Sequence, residues 1–201
     1  MRRVPVIPTI IVALCVATMI ALGLWQLLIR LPAKEAQLAQ LAANPAKPPV
    51  AFPTLPDDSL LFRRSSVTCL PPVTTRIAGA GAAGYRVVAD CRTGAERPGA
   101  AVQLGTTRDA MTKIGWAGGA VSGYLSHLPD SRPLIAGLWD HTPKRLMLVA
   151  DTPPPGLARN TPPDISAVPN SHLAYAGQWF FFAVVATIIY ALALRRRVPR
   201  P

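Results

Sequence analysis

Two long runs without a charged residue, one near each end, constrain this chain most strongly. Residues 4–29 carry no charge, and neither do residues 173–194. The hydrocarbon core of a bilayer is about 30 Å thick and an α-helix rises 1.5 Å per residue, so roughly 20 apolar residues cross it. A buried core helix rarely stays uncharged for that long in a domain this small. We therefore predict two transmembrane helices, at residues 9–30 and 171–194.

The first run differs from a cleaved signal peptide in two respects. Its apolar stretch is longer than the apolar region of a signal peptide. The nearest candidate cleavage site has Leu41 at a position that requires a small residue. We therefore expect an uncleaved anchor, preceded by a short cytoplasmic start at residues 1–8.

Basic residues close to the two spans predict their orientation. Arg2 and Arg3 precede the first span, and the tail at residues 195–201 contains four arginines. Only Arg30 and Lys34 lie close to the other ends of the spans. Lys and Arg are enriched on the cytoplasmic side of membrane proteins. We expect a multi-pass protein with both termini cytoplasmic and its middle on the outer face of the membrane.

The net charge of +11 suggests a nucleic-acid-binding protein, but its distribution argues against one. Residues 31–172 carry 14 basic and 10 acidic side chains, a net charge of +4. The other seven positive charges flank the two spans, at Arg2, Arg3, Arg30, Arg195, Arg196, Arg197 and Arg200. This placement indicates contact with the lipid bilayer and no nucleic-acid partner.

Between the spans the sequence changes character twice. Good helix formers and then prolines at residues 31–56 predict a helical extension followed by an extended connector. Residues 57–170 show short strand-like runs separated by turn residues. The candidate strands are residues 62–70, 85–91, 100–105, 119–126, 134–138 and 146–150. We predict one extracytoplasmic β-rich domain, an antiparallel sandwich or a small barrel.

The three cysteines fall into two groups. Cys15 lies within the first span, where a small apolar packing role is the simplest interpretation. Cys69 and Cys91 each end or nearly end a candidate strand in the domain that we expect to face an oxidising compartment. A disulfide between them is therefore possible, although spacing alone does not establish the pairing.

The domain gives little support for an enzyme. It has one glutamate, Glu96, and its aspartates are scattered. The chain lacks G-x-S-x-G, H-E-x-x-H, P-loop and C-x-x-C motifs. His127 and His141 lie near strand ends or loops, and nothing accompanies them at the spacing of a metal site. We expect both to be surface or capping residues, and the protein not to be an enzyme.

The entry to the second span holds the densest group of functional side chains. His172, Tyr175 and Trp179 recur at the spacing of one helical face, and Asn170 is a candidate N-cap. An aromatic belt at the membrane interface explains the tyrosine and the tryptophan. It explains His172 and Gln178 less well, because a histidine at membrane depth commonly marks a functional site.

The end of the first span carries matching residues. Trp25, Gln26 and Arg30 are expected at the same membrane level as the start of the second span. They would then meet Asn170, His172, Tyr175 and Gln178. Such a pocket has an apolar body, a basic edge and one imidazole. It suits a planar amphiphile with acidic groups, such as a haem, because imidazole ligates iron and arginine pairs with carboxylates.

Over nearly its whole length the chain resembles the Surfeit locus protein family, the Surf-type cytochrome c oxidase assembly factors. The strongest segments are residues 22–27, LGLWQL, and residues 169–180, PNSHLAYAGQWF. Residues 62–68 and 84–88 also resemble strand segments of the family. The second of these four segments is the most specific.

The resemblance implies a role in oxidase biogenesis without catalysis. Such proteins handle haem a for insertion into the catalytic subunit of haem–copper cytochrome c oxidase, so that subunit and other assembly factors are the expected partners. The haem-linked histidine of the family corresponds to His172, which would bind the haem iron. The cofactor-binding candidates beside it are Trp25, Gln26, Arg30, Tyr175, Gln178 and Trp179.

The expected location is a bacterial inner membrane, because no long Arg/Ser-rich presequence is present. Two other functions remain open. One is a membrane scaffold that binds a nascent oxidase subunit without binding haem. The other is a membrane-anchored enzyme acting on haem or lipid, which would need a catalytic constellation that the sequence does not provide.

Overall fold

A computed structural model of the chain describes residues 5–94, 99–129, 135, 139–140, 142–162 and 164–196. The chain forms two units. One is helical and combines Met1–Leu38 with Ser166–Pro201, and the other comprises Ala39–Ile165 and contains all of the described strands.

The helical unit contains the two long apolar helices. Helix α1 spans Val6–Trp25 and continues through a π-helical turn at Gln26–Arg30 into α2, Leu31–Ala43. Helix α3 spans His172–Arg196. Both helical runs are long and apolar enough to cross a membrane. The prediction of a membrane protein with one such helix on each side of a β-rich domain is confirmed.

Helices α1 and α3 pack through small residues. Gly23 is buried, and a Cβ atom at this position would lie 2.8 Å from the Phe180 ring. Ala176 and Ala183 are buried on the facing helix. Small residues let two membrane helices approach closely, which increases their van der Waals contact. Large apolar side chains on the remaining faces are exposed and suited to lipid, among them Ile7, Ile10, Ile11, Leu14, Phe181, Val184 and Ile188.

The β unit is built from six strands. They are β1 Val50–Ala51, β2 Arg64–Gly79, β3 Tyr85–Arg92, β4 Ala100–Thr107, β5 Gly119–His127 and β6 Leu146–Ala150. Their order is β1-β2-β3-β4-β6-β5, and β5 also pairs with β2. The pairings therefore close into a ring of five strands, with β1 attached to β2 at the edge.

The length of β2 allows the ring to close. Its first part, from Arg64 to Cys69, pairs with β5, and its last part, from Thr74 to Gly79, pairs with β3. The register shifts between Leu70 and Thr74, around Pro71 and Pro72. Proline has no amide proton to donate to a ladder, so strand pairing is interrupted there and one strand serves two neighbours.

The barrel-like architecture was expected, but the prediction of an all-antiparallel arrangement is wrong at two pairings. Strand β1 runs parallel to β2, and β4 runs parallel to β6. The parallel pairing of β4 with β6 follows from the number of strands in the ring. When five strands close into a ring, neighbouring strands cannot all run in opposite directions, so at least one pair is parallel. Five of the six candidate strands correspond to β2–β6. The sixth, residues 134–138, lies outside the described residues except for Ile135.

The interior of the ring is apolar and holds the two cysteines of the domain. Alternate residues of β3 and β4 point inward, as a strand requires, and meet Leu125 and Leu148 from β5 and β6. Cys69 and Cys91 are 1% and 3% exposed. Their Cα atoms are 5.2 Å apart and a disulfide joins them. The structure thus brings together the pair that the sequence singled out.

Candidate functional site

The start of α3 is tied to the end of α1 by one polar contact. His172 Nδ1 lies 2.7 Å from Gln26 Oε1, and both residues are partly buried. A carbonyl oxygen can only accept a hydrogen bond, so Nδ1 carries the ring proton and donates it. In a neutral imidazole with this tautomer, the other ring nitrogen, Nε2, keeps its lone pair. Among the residues that the structure describes, Nε2 makes no hydrogen bond.

Gln26 is the first residue of the π-helical turn. The backbone N–H of Leu31 donates to the carbonyl oxygen of Gln26, five residues earlier, instead of four as in an α-helix. Single π turns inside helices occur frequently at functional sites. Here the π turn begins at Gln26, the residue whose side chain contacts His172.

The same turn arranges a cation and an aromatic ring. The guanidinium carbon of Arg30 lies 5.5 Å from the centre of the Trp25 ring. On an α-helix the side-chain neighbours are three or four residues apart, whereas these two residues are five apart. The π turn therefore accounts for the stacking. Both side chains are exposed, and Arg30 forms no ion pair with any described residue. Its donors are available to an acidic group.

The other candidate residues lie outside this pair of contacts. Trp179 is half-buried, with its ring centre 6.5 Å from that of Phe182. Tyr175 is 51% exposed, and Gln178 is exposed too. Each residue turns an α-helix by about 100°, so Gln178, six residues after His172, lies on another face. The structure brings Gln26 to His172 and Arg30 to Trp25, but leaves Tyr175 and Gln178 on the outside of the helix pair.

The helix start differs slightly from the expected one. Helix α3 begins at His172, so the residue directly before it is Ser171 and not Asn170. The carbonyl oxygen of Ser171 accepts the N–H of Tyr175. Asn170 is exposed.

Chemically, this arrangement offers an oriented imidazole and a nearby cation. A neutral imidazole with a free Nε2 is a ligand for transition metals, including haem iron. A hydrogen bond to the other ring nitrogen fixes the tautomer and the ring orientation, as outer-shell partners of metal-binding histidines do. An arginine pairs well with carboxylates. The residue types present are therefore compatible with a haem, because imidazole can ligate iron and a guanidinium can pair with a propionate.

Three features of the helix pair were not anticipated from the sequence. The π turn leaves no propensity signal. The close approach of Gly23 to Phe180 has one, because a glycine in an apolar helix indicates a helix–helix contact. A second interhelical hydrogen bond, between the hydroxyls of Thr9 and Tyr190, could also have been suspected, since polar groups within spans seek partners.

The titratable groups of the β unit form links between elements. Arg64 and Asp151 make two parallel hydrogen bonds of 2.7 and 2.6 Å, and the bond from Asp151 raises the pKa of Arg64. Burial raises the pKa of Tyr124, whose hydroxyl donates to the carbonyl oxygen of Thr161. Hydrogen bonds from Ser59 lower the pKa of Asp57.

The histidines of the domain follow the same pattern where they are described. His127, at the end of β5, lies 2.8 Å from Asp58, in line with a surface or capping role. His141 and Glu96 lie outside the described residues. Within the part of the chain that is described, no group of three or more His, Cys, Asp or Glu side chains is placed to hold a metal ion.

Comparison with known proteins gives one family. A family model described as the SURF1 family matches residues 13–184. The matched range includes most of α1, the π turn, all six strands and the first half of α3. No curated protein matches the chain.

Proposed function

Because this chain belongs to the SURF1 family, which is associated with cytochrome oxidase assembly, we propose that it handles haem a for insertion into the catalytic subunit of haem–copper cytochrome c oxidase. In this proposal the protein is an assembly factor and not an enzyme. Its partners are that subunit and other assembly factors.

The hydrogen bond between Gln26 and His172 is the observation that carries the proposal. It presents one ring nitrogen of His172 with a free lone pair at the junction of two membrane helices. An amide partner carries no charge, so it raises the basicity of the imidazole less than a carboxylate partner does. An assembly factor must later release its haem, so a ligand that binds the iron with moderate strength suits this role. When bound, the haem supplies only the iron and the propionates that these residues recognise.

Arg30 adds a second point of recognition. Its guanidinium is held over Trp25, which reduces the freedom that the side chain would lose on meeting a propionate. The pair is exposed, so an ion pair there contributes modestly. We assign Arg30 a role in orienting the haem, and His172 the main role in retaining it.

The proposed setting is a bacterial inner membrane with both termini in the cytoplasm. The arginines of the tail and the amino terminus support this orientation. The β unit would then lie on the outer side, where the disulfide between Cys69 and Cys91 can persist.

The test compares His172→Ala with the unaltered protein after production together with haem a. We expect unchanged protein in the membrane, less bound haem in the absorbance spectrum, and a lower but measurable yield of mature oxidase. His127→Ala is the matched control, because this histidine pairs with Asp58 in the β unit, and it should retain full haem occupancy.

Arg30→Ala should lower haem retention less than His172→Ala, and Arg30→Lys less again. If His172→Ala binds haem a with unchanged spectrum and occupancy, the assignment of the ligand is wrong. A scaffold that holds a nascent oxidase subunit without haem would then explain the family membership better.

A further inference from the structure

Strand pairing gathers two arginines at one end of the β unit. Cys91 of β3 pairs with Ala100 of β4, and Ala101 pairs with Met147 of β6. Arg92, the residue after Cys91, and Arg145, which directly precedes β6, therefore lie at the same end of three adjacent strands. Both side chains are exposed.

The two arginines line two neighbouring cavities, Arg145 both of them and Arg92 the second. A cavity of about 280 Å³ and a second one of about 520 Å³ share Gly99 and Arg145 in their walls. We call their union the cationic groove and define it by Phe52, Leu55, Ser66, Arg76, Arg92 and Arg145.

Positive charge exceeds negative charge among the described residues of the groove. Arg76 bonds through Nε to Asp90 at 3.0 Å, and Asp90 is the carboxylate that lines the groove. Neither Arg92 nor Arg145 forms an ion pair with a described residue. Arg76 also keeps its two terminal nitrogens free of any described partner. Among the described residues, the groove therefore has two guanidinium groups without a carboxylate partner and a third that can still donate.

The other wall of the groove is apolar and stiff. Residues 51–56 line it and include Phe52, Leu55 and two prolines. Leu55 is 77% exposed, so its side chain is accessible to a partner. Ser66 and Thr68, on the exposed face of β2, form part of the floor. The first cavity thus has an apolar wall, the second is lined by cations, and Arg145 belongs to both, which suits a chain that carries both apolar and acidic side chains.

We infer that the cationic groove binds an extended, acidic segment of a partner polypeptide. An extended chain that runs from the first cavity into the second can place apolar side chains against Phe52 and Leu55 and carboxylates beside Arg145 and Arg92. A carboxylate accepts two parallel hydrogen bonds from a guanidinium, which favours arginine in this role. The inference does not depend on haem binding, because every residue involved belongs to the β unit.

The test uses the full chain in detergent micelles and a short fluorescein-labelled peptide of alternating glutamate and leucine. Binding is followed by fluorescence anisotropy at low and high salt, with empty micelles as a blank. A peptide with lysine in place of glutamate is the charge control. The variant Arg92→Gln/Arg145→Gln removes the two groove charges. The matched variant Arg108→Gln/Arg159→Gln removes the same charge elsewhere in the unit.

We expect saturable binding of the acidic peptide that weakens with salt and is absent for the lysine peptide. The groove variant should bind about fivefold to tenfold more weakly, as expected for the loss of two exposed ion pairs. The matched variant should stay within about twofold. Equal weakening in both variants, or no saturable binding by the unaltered protein, overturns the inference.

Vesicles with and without phosphatidylglycerol, added to the same variants, test a lipid surface as the occupant. If the groove variant loses binding to anionic vesicles while peptide binding is unchanged, the groove contacts lipid and the inference is wrong. A peptide-specific loss, with vesicle binding unchanged, supports it.

Discussion

His172 Nδ1 lies 2.7 Å from Gln26 Oε1, although 146 residues separate the two in sequence. The amide oxygen accepts from Nδ1, and in a neutral imidazole the other ring nitrogen then keeps its lone pair. The same glutamine opens the π turn that brings Arg30 over Trp25. Gln26 therefore contributes its side chain to the contact with His172 and its backbone carbonyl to the turn that carries Arg30.

Gln26→Leu should reduce haem affinity by roughly 10-fold to 100-fold while leaving His172 in place, as the loss of an outer-shell partner does at other metal sites. Gln26→Glu should recover part of the affinity, because a carboxylate also accepts from Nδ1. Haem titration monitored by absorbance measures both. Gln178→Leu is the control, since this amide is exposed on another face of α3. An equal loss in both leucine variants would contradict the role of Gln26.

The orientation in the membrane is tested with alkaline phosphatase fusions. A fusion after Leu60 should be active and a fusion after Arg200 inactive, because the enzyme requires an oxidising compartment and the arginines hold the termini on the cytoplasmic side. Replacing the arginines that follow α3 with glutamine should weaken this bias. Activity at Arg200 and none at Leu60 would reverse the proposed topology.

The disulfide between Cys69 and Cys91 should be present in protein purified without reductant. It closes a loop with a sequence separation of 22 residues. By the chain-entropy model it contributes roughly 3 kcal/mol to the stability of the domain. Mass spectrometry after alkylation without reduction should find one labelled cysteine, the free Cys15. Labelling of all three cysteines would exclude the bond.

Gly123→Ala should destabilise the β unit severely. A Cβ atom at this position would lie 1.9 Å from the carbonyl oxygen of Val149, inside the β5–β6 pairing, and a backbone atom there cannot move aside. We expect a loss of about 3 kcal/mol or more, seen as a lower midpoint of thermal unfolding. Gly79→Ala has open space around it and should change stability by less than about 0.5 kcal/mol. Similar midpoints for the two variants would show that the β5–β6 contact is looser than described.

The sequence predicted five of the strands because valine-rich runs between turn residues are a local signal. It did not predict β1, which has two residues among prolines, or the continuation of β2 beyond Pro71 and Pro72, where prolines argue against a strand. The direction of β6 relative to β4 depends on which strands become neighbours, and local patterns do not contain that information.

The candidate site shows the same division. The types of residue in the site, and their approximate depth in the membrane, could be predicted from the sequence at the ends of the two spans. The partnership of Gln26 with His172 was not, because the rotation of α1 against α3 is set by packing at Gly23 and Phe180. The expectation that Gln178 meets the first span depended on sequence proximity, whereas helical rotation leaves its side chain exposed.

The position of β6 in the ring limits the order in which the strands can pair during folding. Strand β6 lies between β4 and β5, both of which precede it in the chain, so hairpins formed one after another cannot complete the ring. Two edges stay open until residues 146–150 are available to fill the gap. During synthesis this occurs shortly before α3 emerges, because only residues 151–171 separate it from β6. A pause in translation before β6 would prolong the life of a form with unpaired edges, which is the form most exposed to aggregation.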